Sequence, residues 1–225
     1  MRSEDLFRRR KARDAAALQR KKSKRAQNTR YLIVCEGTKT EPQYLRELRD
    51  DLRVLPQAMR IAPNDGTTPD RVVAHAVALY EEEAATGDAY DKAYCVFDRD
   101  KHTTFNAAVK RIQDLRADGK QFVAIISNPC FEVWLLLHFG YTAQPFHSAG
   151  TKSVGDQVVA ALRTKPGFAG YGKGQKGIYE HLKARLGTAL THAERLRKHS
   201  AAADSKNPAT DIDVLVKAIQ ALAEK

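Results

Sequence analysis

The chain has 225 residues, 43% of them hydrophobic, and 38 Lys and Arg against 27 Asp and Glu leave a net charge of +11. No apolar run is long enough to span a bilayer, and the opening MRSEDLFRRRKAR lacks the apolar centre of a secretory signal, so a soluble, cytoplasmic protein with no membrane role is expected. Three cysteines, Cys35, Cys95 and Cys130, lie next to apolar residues without metal-ligand spacing, which argues against a zinc site or a disulfide framework.

The charge is unevenly placed. Residues 1–30 hold twelve Lys or Arg and three acids, a balance of +9, so the remainder carries only +2. Such an arm is the footprint of attraction to nucleic-acid phosphates through counterion release. Its candidate contacts are Arg8, Arg9, Arg10, Lys11, Arg13, Arg20, Lys21, Lys22, Lys24 and Arg25. The blander reading of AAALQRKKSKRAQ is a solvated helical extension that keeps the protein in solution.

Past the arm, strand-like and helix-like segments alternate, the pattern of a mostly parallel sheet with helices on its faces. YLIVC (31–35) is the first strand, and Thr40 is placed to cap a helix carrying Tyr44, Leu45, Leu48 and Leu52 at helical spacing. AMRIA is a weaker strand, and a second helix starts at Thr68 and Pro69. KAYCVF is the third strand, FNAAVKRIQDLRADG a helix closed by Gly119, and QFVAIIS the fourth strand. PCFEVWLLLHF is too short and too apolar for its period to be read. The C-terminal third reads as helices over DQVVAALRT, GIYEHLKARLGTALTHAERLRKH and DIDVLVKAIQALAEK, the last after a turn at SKNPAT. The expectation is an α/β protein with a four-stranded sheet. Its parts are a basic arm (1–30), an α/β core (31–140) and a mainly helical extension (141–225) packed on that core.

In open parallel sheets, ligands bind beyond the carboxyl ends of strands. Glu36 follows the first strand directly, and Asp98 and Asp100 follow the third, two residues apart and therefore facing one way. Carboxylates brought together raise one another's pKa unless a cation compensates, and hard oxygen ligands suit Mg²⁺ or Mn²⁺. Glu132 is a further acid at the same edge. Lys173 and Lys176 in GYGKGQKG and Lys206 in SKNPAT are candidates to meet phosphate charge. His102 is close in sequence but carries no assigned role.

CEG after one strand and DRD after a later one resemble the Toprim domain of primases, topoisomerases and OLD-type nucleases. VCEGTKTEPQYL, FDRDKH, SNPCFEVWLLLHF and SKNPAT together resemble the RloB family of Toprim-like phage-defence proteins, over residues 31 to about 222. The resemblance implies a Toprim-like Rossmannoid core, Mg²⁺ dependence and phosphodiester chemistry in abortive infection, beside a partner ATPase. It places the Toprim glutamate at Glu36 and the Asp pair at Asp98 and Asp100, and it favours Lys173 and Lys206. The arm lies outside it. A rival reading is a HAD-like phosphatase with Asp98 as nucleophile and Ser127 near the phosphate, although DRDKH lacks the usual Thr and the EG strand is left unexplained. A non-enzyme reading is a nucleic-acid-binding sensor or adaptor. Self-association is compatible with all three.

Overall fold

The computed structural model describes residues 29–64, 68–99, 102–202 and 206–224. The arm residues named above, and Asp100, lie outside the described residues.

Five strands form one sheet in the order β2-β1-β3-β4-β5. They are β1 (Tyr31–Cys35), β2 (Met59–Pro63), β3 (Lys92–Asp98), β4 (Phe122–Asn128) and β5 (Ala209–Thr210). The first four pair in parallel, and β5 joins β4 antiparallel. The fold class is therefore the expected α/β sheet with flanking helices. The expected four strands become five, because the segment SKNPAT supplies a strand where a turn was expected. Two residues are too few to show a period of two.

The helices are α1 (Thr40–Asp51), α2 (Pro69–Ala85), α3 (Phe105–Ala117), α4 (Glu132–Leu137), α5 (Val154–Arg163), α6 (Ile178–Leu182), α7 (Leu186–Ala202) and α8 (Ile212–Ala223). A 3₁₀ turn at Lys183–Arg185 separates α6 from α7, where the sequence reads as one helix. PCFEVWLLLHF resolves as helix, and all six residues of α4 are buried, which is why its pattern is apolar all round. Thr40 does not cap α1. It is the first helical residue, buried, and its Oγ1 accepts a hydrogen bond of 3.0 Å from the Gly174 amide.

Strand alternation splits the core into two layers. Leu32, Val34, Ala93, Cys95 and Phe97 pack against α2 and α3 through Val72, Val73, Ala76, Ala108 and Ile112. Tyr31, Ile33, Cys35, Tyr94 and Val96 point the other way, into a larger layer shared with α1 and α4 to α8. The C-terminal helices thus cover one face of the same sheet. In α8, Ile212, Leu215, Val216, Ile219 and Leu222 repeat every three or four residues and are all buried.

Arg30 fastens the amino end of β1. Its amide donates to Asp91 Oδ2 at 2.7 Å, and its guanidinium reaches the Gln57 carbonyl, Glu83 and Asp88 while lying over the Tyr90 ring. The last basic residue of the arm therefore serves the core.

His138, 2% exposed at the end of α4, donates through Nδ1 to the Trp134 carbonyl at 3.0 Å. Burial pulls its pKa from the usual 6.5 down to about 4. The unfolded chain therefore binds a proton that the folded chain refuses, and stability falls as pH drops from about 6.5 towards 4, by about 3 kcal/mol in all. Denaturant titrations at pH 7 and pH 4.5 should show a markedly smaller loss in His138→Leu than in the wild type. Equal losses would mean that another group governs this range.

Candidate functional site at the carboxyl edge of the sheet

The chain runs from β1 outward to β2 and then back to β3 on the other side of β1, so the strand order reverses between β1 and β3. In such sheets the crevice beyond that point is where ligands sit. Glu36 ends β1 on one side of it, and Asp98 ends β3 on the other. The Glu36 amide donates to the Val96 carbonyl at 2.9 Å, extending the ladder by one step, and Glu36 Oε2 accepts from the Asp98 amide at 3.0 Å. Glu36 is thus held at both its amide and its carboxylate by the backbone of β3.

The period of two puts Asp98 on the face of Tyr94 and Val96, which α1 and α4 cover. That choice of face brings in two further acids. Glu41 lies in the first turn of α1, and Glu132 opens α4, 1% exposed, with Oε1 accepting from Tyr171 Oη at 2.9 Å. The Asp98 carboxyl is pushed well above its usual range, first by burial and then by the fields of Glu41, Glu132 and Glu36, with Lys173 opposing them. Glu41 is raised as well, by burial above all and by Glu132 and Glu36. Burial works against the charge on Lys173, yet Glu132, Cys130, Asp98 and Glu41 together leave its pKa raised.

Lys173 is exposed on a glycine-rich loop clasped to α1, near enough for the fields of the acids to act on it. The Gly177 and Tyr179 amides donate to the Glu47 carboxylate at 2.8 and 3.0 Å, and the Gly174 amide to Thr40. Gly174 has φ of +86°, a conformation that favours glycine, and a Cβ there would press on the Lys39 side chain at 3.0 Å. Gly37 is needed for a different reason: a Cβ would fall 2.3 Å from Glu41 Oε2, in the space that the carboxylate occupies.

Of the residues expected from sequence, Glu36, Asp98, Glu132 and Lys173 come together. Lys206 lies beside the end of β4, where its carbonyl accepts from the Asn128 amide group, and its residue is exposed. Lys176 is exposed in the loop. His102 Nε2 stands 3.7 Å from Glu36 Oε1. Ser127, the residue a phosphatase would need, is 2% exposed with its hydroxyl against Thr210 Oγ1 at 3.3 Å. Glu41 and Tyr171 are the residues that sequence reasoning missed. Glu41 reads as an ordinary acid in a helix's first turn; the available signal was its place five residues after Glu36 with only a tight turn between them.

Asp98, Glu36, Glu41 and Glu132 are hard oxygen donors whose fields oppose one another, a donor chemistry of the kind that suits Mg²⁺ or Mn²⁺. Among the described residues no group of three or more His, Cys, Asp or Glu side chains is arranged as a cage that could hold a metal ion. Mg²⁺ does not require such a cage, because it keeps several waters and takes one or two carboxylates with substrate oxygens. Among the described residues no helix is long and apolar enough to cross a membrane.

A family model described as RloB-like protein matches residues 31–219. No curated protein and no solved structure matches the chain.

The raised carboxyl of Asp98 gives a signed prediction. The folded state holds this proton more tightly than the unfolded chain, so the group favours folding at acid pH and the advantage is lost as pH rises. With a chelator present, Asp98→Asn should melt above the wild type at pH 8, and the gap should close towards pH 4. A gap independent of pH would show that charge at Asp98 is not what strains the edge.

Proposed function

The chain belongs to the RloB-like family, and on that premise we propose that it is a divalent-metal-dependent phosphodiester hydrolase, a Toprim-type nuclease of phage defence acting beside a partner ATPase. The observation that supports this most is the Asp98 carboxyl, burdened by Glu41, Glu132 and Glu36 at the reversal of strand order and relieved by Lys173. A chain gains nothing in stability from such an arrangement, and perturbed carboxyls in a crevice mark functional sites.

In this reading Asp98 and Glu36 hold Mg²⁺ or Mn²⁺, with Asp100 beside them in sequence. When bound, such an ion would offset charge on the phosphodiester and lower the pKa of a bound water, so that hydroxide would be available near neutral pH. Lys173 supplies a fixed positive charge to the oxygens on which negative charge builds. Glu132, held by Tyr171, favours the charged form of that lysine. His102 beside Glu36 is positioned to take up a proton at the edge of the cluster. The arm of residues 1–28 supplies sequence-independent attraction to the phosphate backbone.

Purified protein with Mn²⁺ should cut a nucleic-acid backbone and leave small phosphomonoesters untouched. Asp98→Asn and Glu36→Gln should lower cleavage by at least about 100-fold, more than loss of an outer-shell partner costs, and abolish the rise in melting temperature on adding Mn²⁺. Steady phosphate release from phosphomonoesters would favour a phosphatase instead.

Removing residues 1–28 should separate binding from chemistry. Affinity should fall for all sequences alike, and the salt dependence should flatten by about 0.9 log units for each duplex phosphate that the arm no longer neutralises. An unchanged slope would give the arm another role.

A further inference from the structure

The loop of residues 140–147, the end of α4 and one side of α5 line a half-open cavity of about 610 Å³ that the acid cluster does not use. We propose that this cavity receives one unpaired nucleobase of a nucleic-acid strand whose backbone crosses the acid cluster. The strand rests on the nuclease reading above, whereas the base is inferred from the cavity's own lining.

The size falls within the range of small-molecule sites, about 300–1,000 Å³. Tyr141 and Phe146 bring aromatic rings, Gln144 and Gln157 bring amides that both donate and accept, and Lys165 adds a cation. A flat heterocycle with donors and acceptors on its edge and a phosphate attached matches that set, and aromatic rings are the usual platforms for unpaired bases. A lipid or an apolar peptide would leave the amides unpaired.

The walls are fixed in advance. The Arg195 guanidinium lies 3.9 Å from the centre of the Tyr141 ring. The Phe146 amide donates to Asn207 Oδ1 at 3.2 Å, and Asn207 Nδ2 donates back to the Phe146 carbonyl at 2.7 Å, tying a loop without regular structure to the segment that forms β5. A capping box between Ser153 and Asp156 secures the start of α5.

Position ties the cavity to the cluster. Leu136, on its wall, lies four residues after Glu132 in α4, on the same helix face and about 6 Å further along the axis. A strand whose scissile phosphate lay at the acids would have a neighbouring base within reach of the cavity.

The test uses the full chain with a chelator at about 0.5 M salt, where phosphate contacts are weakened and stacking is left. The probe is a short fluorescent unpaired oligonucleotide, compared with the same sequence as a duplex. Phe146→Ala and the cavity-filling Ala161→Phe should each weaken binding of the unpaired probe by about tenfold or more, the scale of one base stack, and leave duplex binding unchanged. Wild-type affinity in both variants, each melting as the wild type does, would overturn the proposal. Displacement of the probe by a free nucleoside monophosphate at much lower concentration than competing oligonucleotide would assign the cavity to a free nucleotide and overturn the strand reading. Binding is read without metal and cleavage in a separate assay with Mn²⁺, so the outcomes separate. A wild type that cuts while both variants bind normally refutes the cavity's role, and one that binds through the cavity but never cuts refutes the hydrolase.

Discussion

The Asp98 carboxyl ends a central strand among three other acids, and burial together with their fields makes its ionisation unfavourable. The rest of the carboxyl edge is arranged around that constraint. The Asp98 amide is bound by Glu36, the Lys173 charge is brought in on a glycine-rich loop, and Tyr171 holds Glu132 in a fully buried position. Breaking up the cluster would relieve the repulsion at once, since an amide or a hydrophobic residue at any of these positions would be easier to bury. The arrangement makes physical sense as a receptor for positive charge.

The fold keeps the acids from relaxing apart. Glu36 and Asp98 are attached to adjacent parallel strands whose register pairs Cys35 with Val96. Both strands are buried on both faces, so neither can slide or twist without exposing core residues. Glu132 starts a helix whose other residues are all buried apolar side chains, and Glu41 starts one anchored by Tyr44, Leu45 and Leu48. The larger of the two hydrophobic layers therefore sets the positions of the acids, and it is built largely from the C-terminal helices. Residues after 141 are part of what makes the site rigid, and Tyr171 among them hydrogen-bonds to Glu132.

Much of this was legible in the sequence because the informative signals are local. Alternation and run length gave β1, β3 and β4, and the acids directly after β1 and β3 could be placed at the carboxyl edge from chain direction alone. Glu41 was not legible, because its role depends on which face of the sheet α1 covers and on the missing side chain at Gly37. The strand β5 was hidden for the same kind of reason: Ala209 and Thr210 pair with Asn128 and Ser127, more than eighty residues away in the chain, and nothing within SKNPAT signals that pairing. Asn207 in the same segment fastens Phe146, another contact that only the folded chain creates.

The basic arm meets the core at Arg30, at the amino end of β1, and the acids stand at the carboxyl end. Five residues of strand separate the two, about 16 Å at the usual rise. That separation matters electrostatically. Lysines next to Asp98 and Glu36 would satisfy the carboxylates themselves and leave little field for a divalent ion, as Lys173 already does in part. Arg30, held at the opposite edge and beyond the screening length of about 8 Å at physiological salt, leaves the acids un-neutralised. One chain can therefore carry a strong net positive charge and still keep an acid cluster in need of a cation.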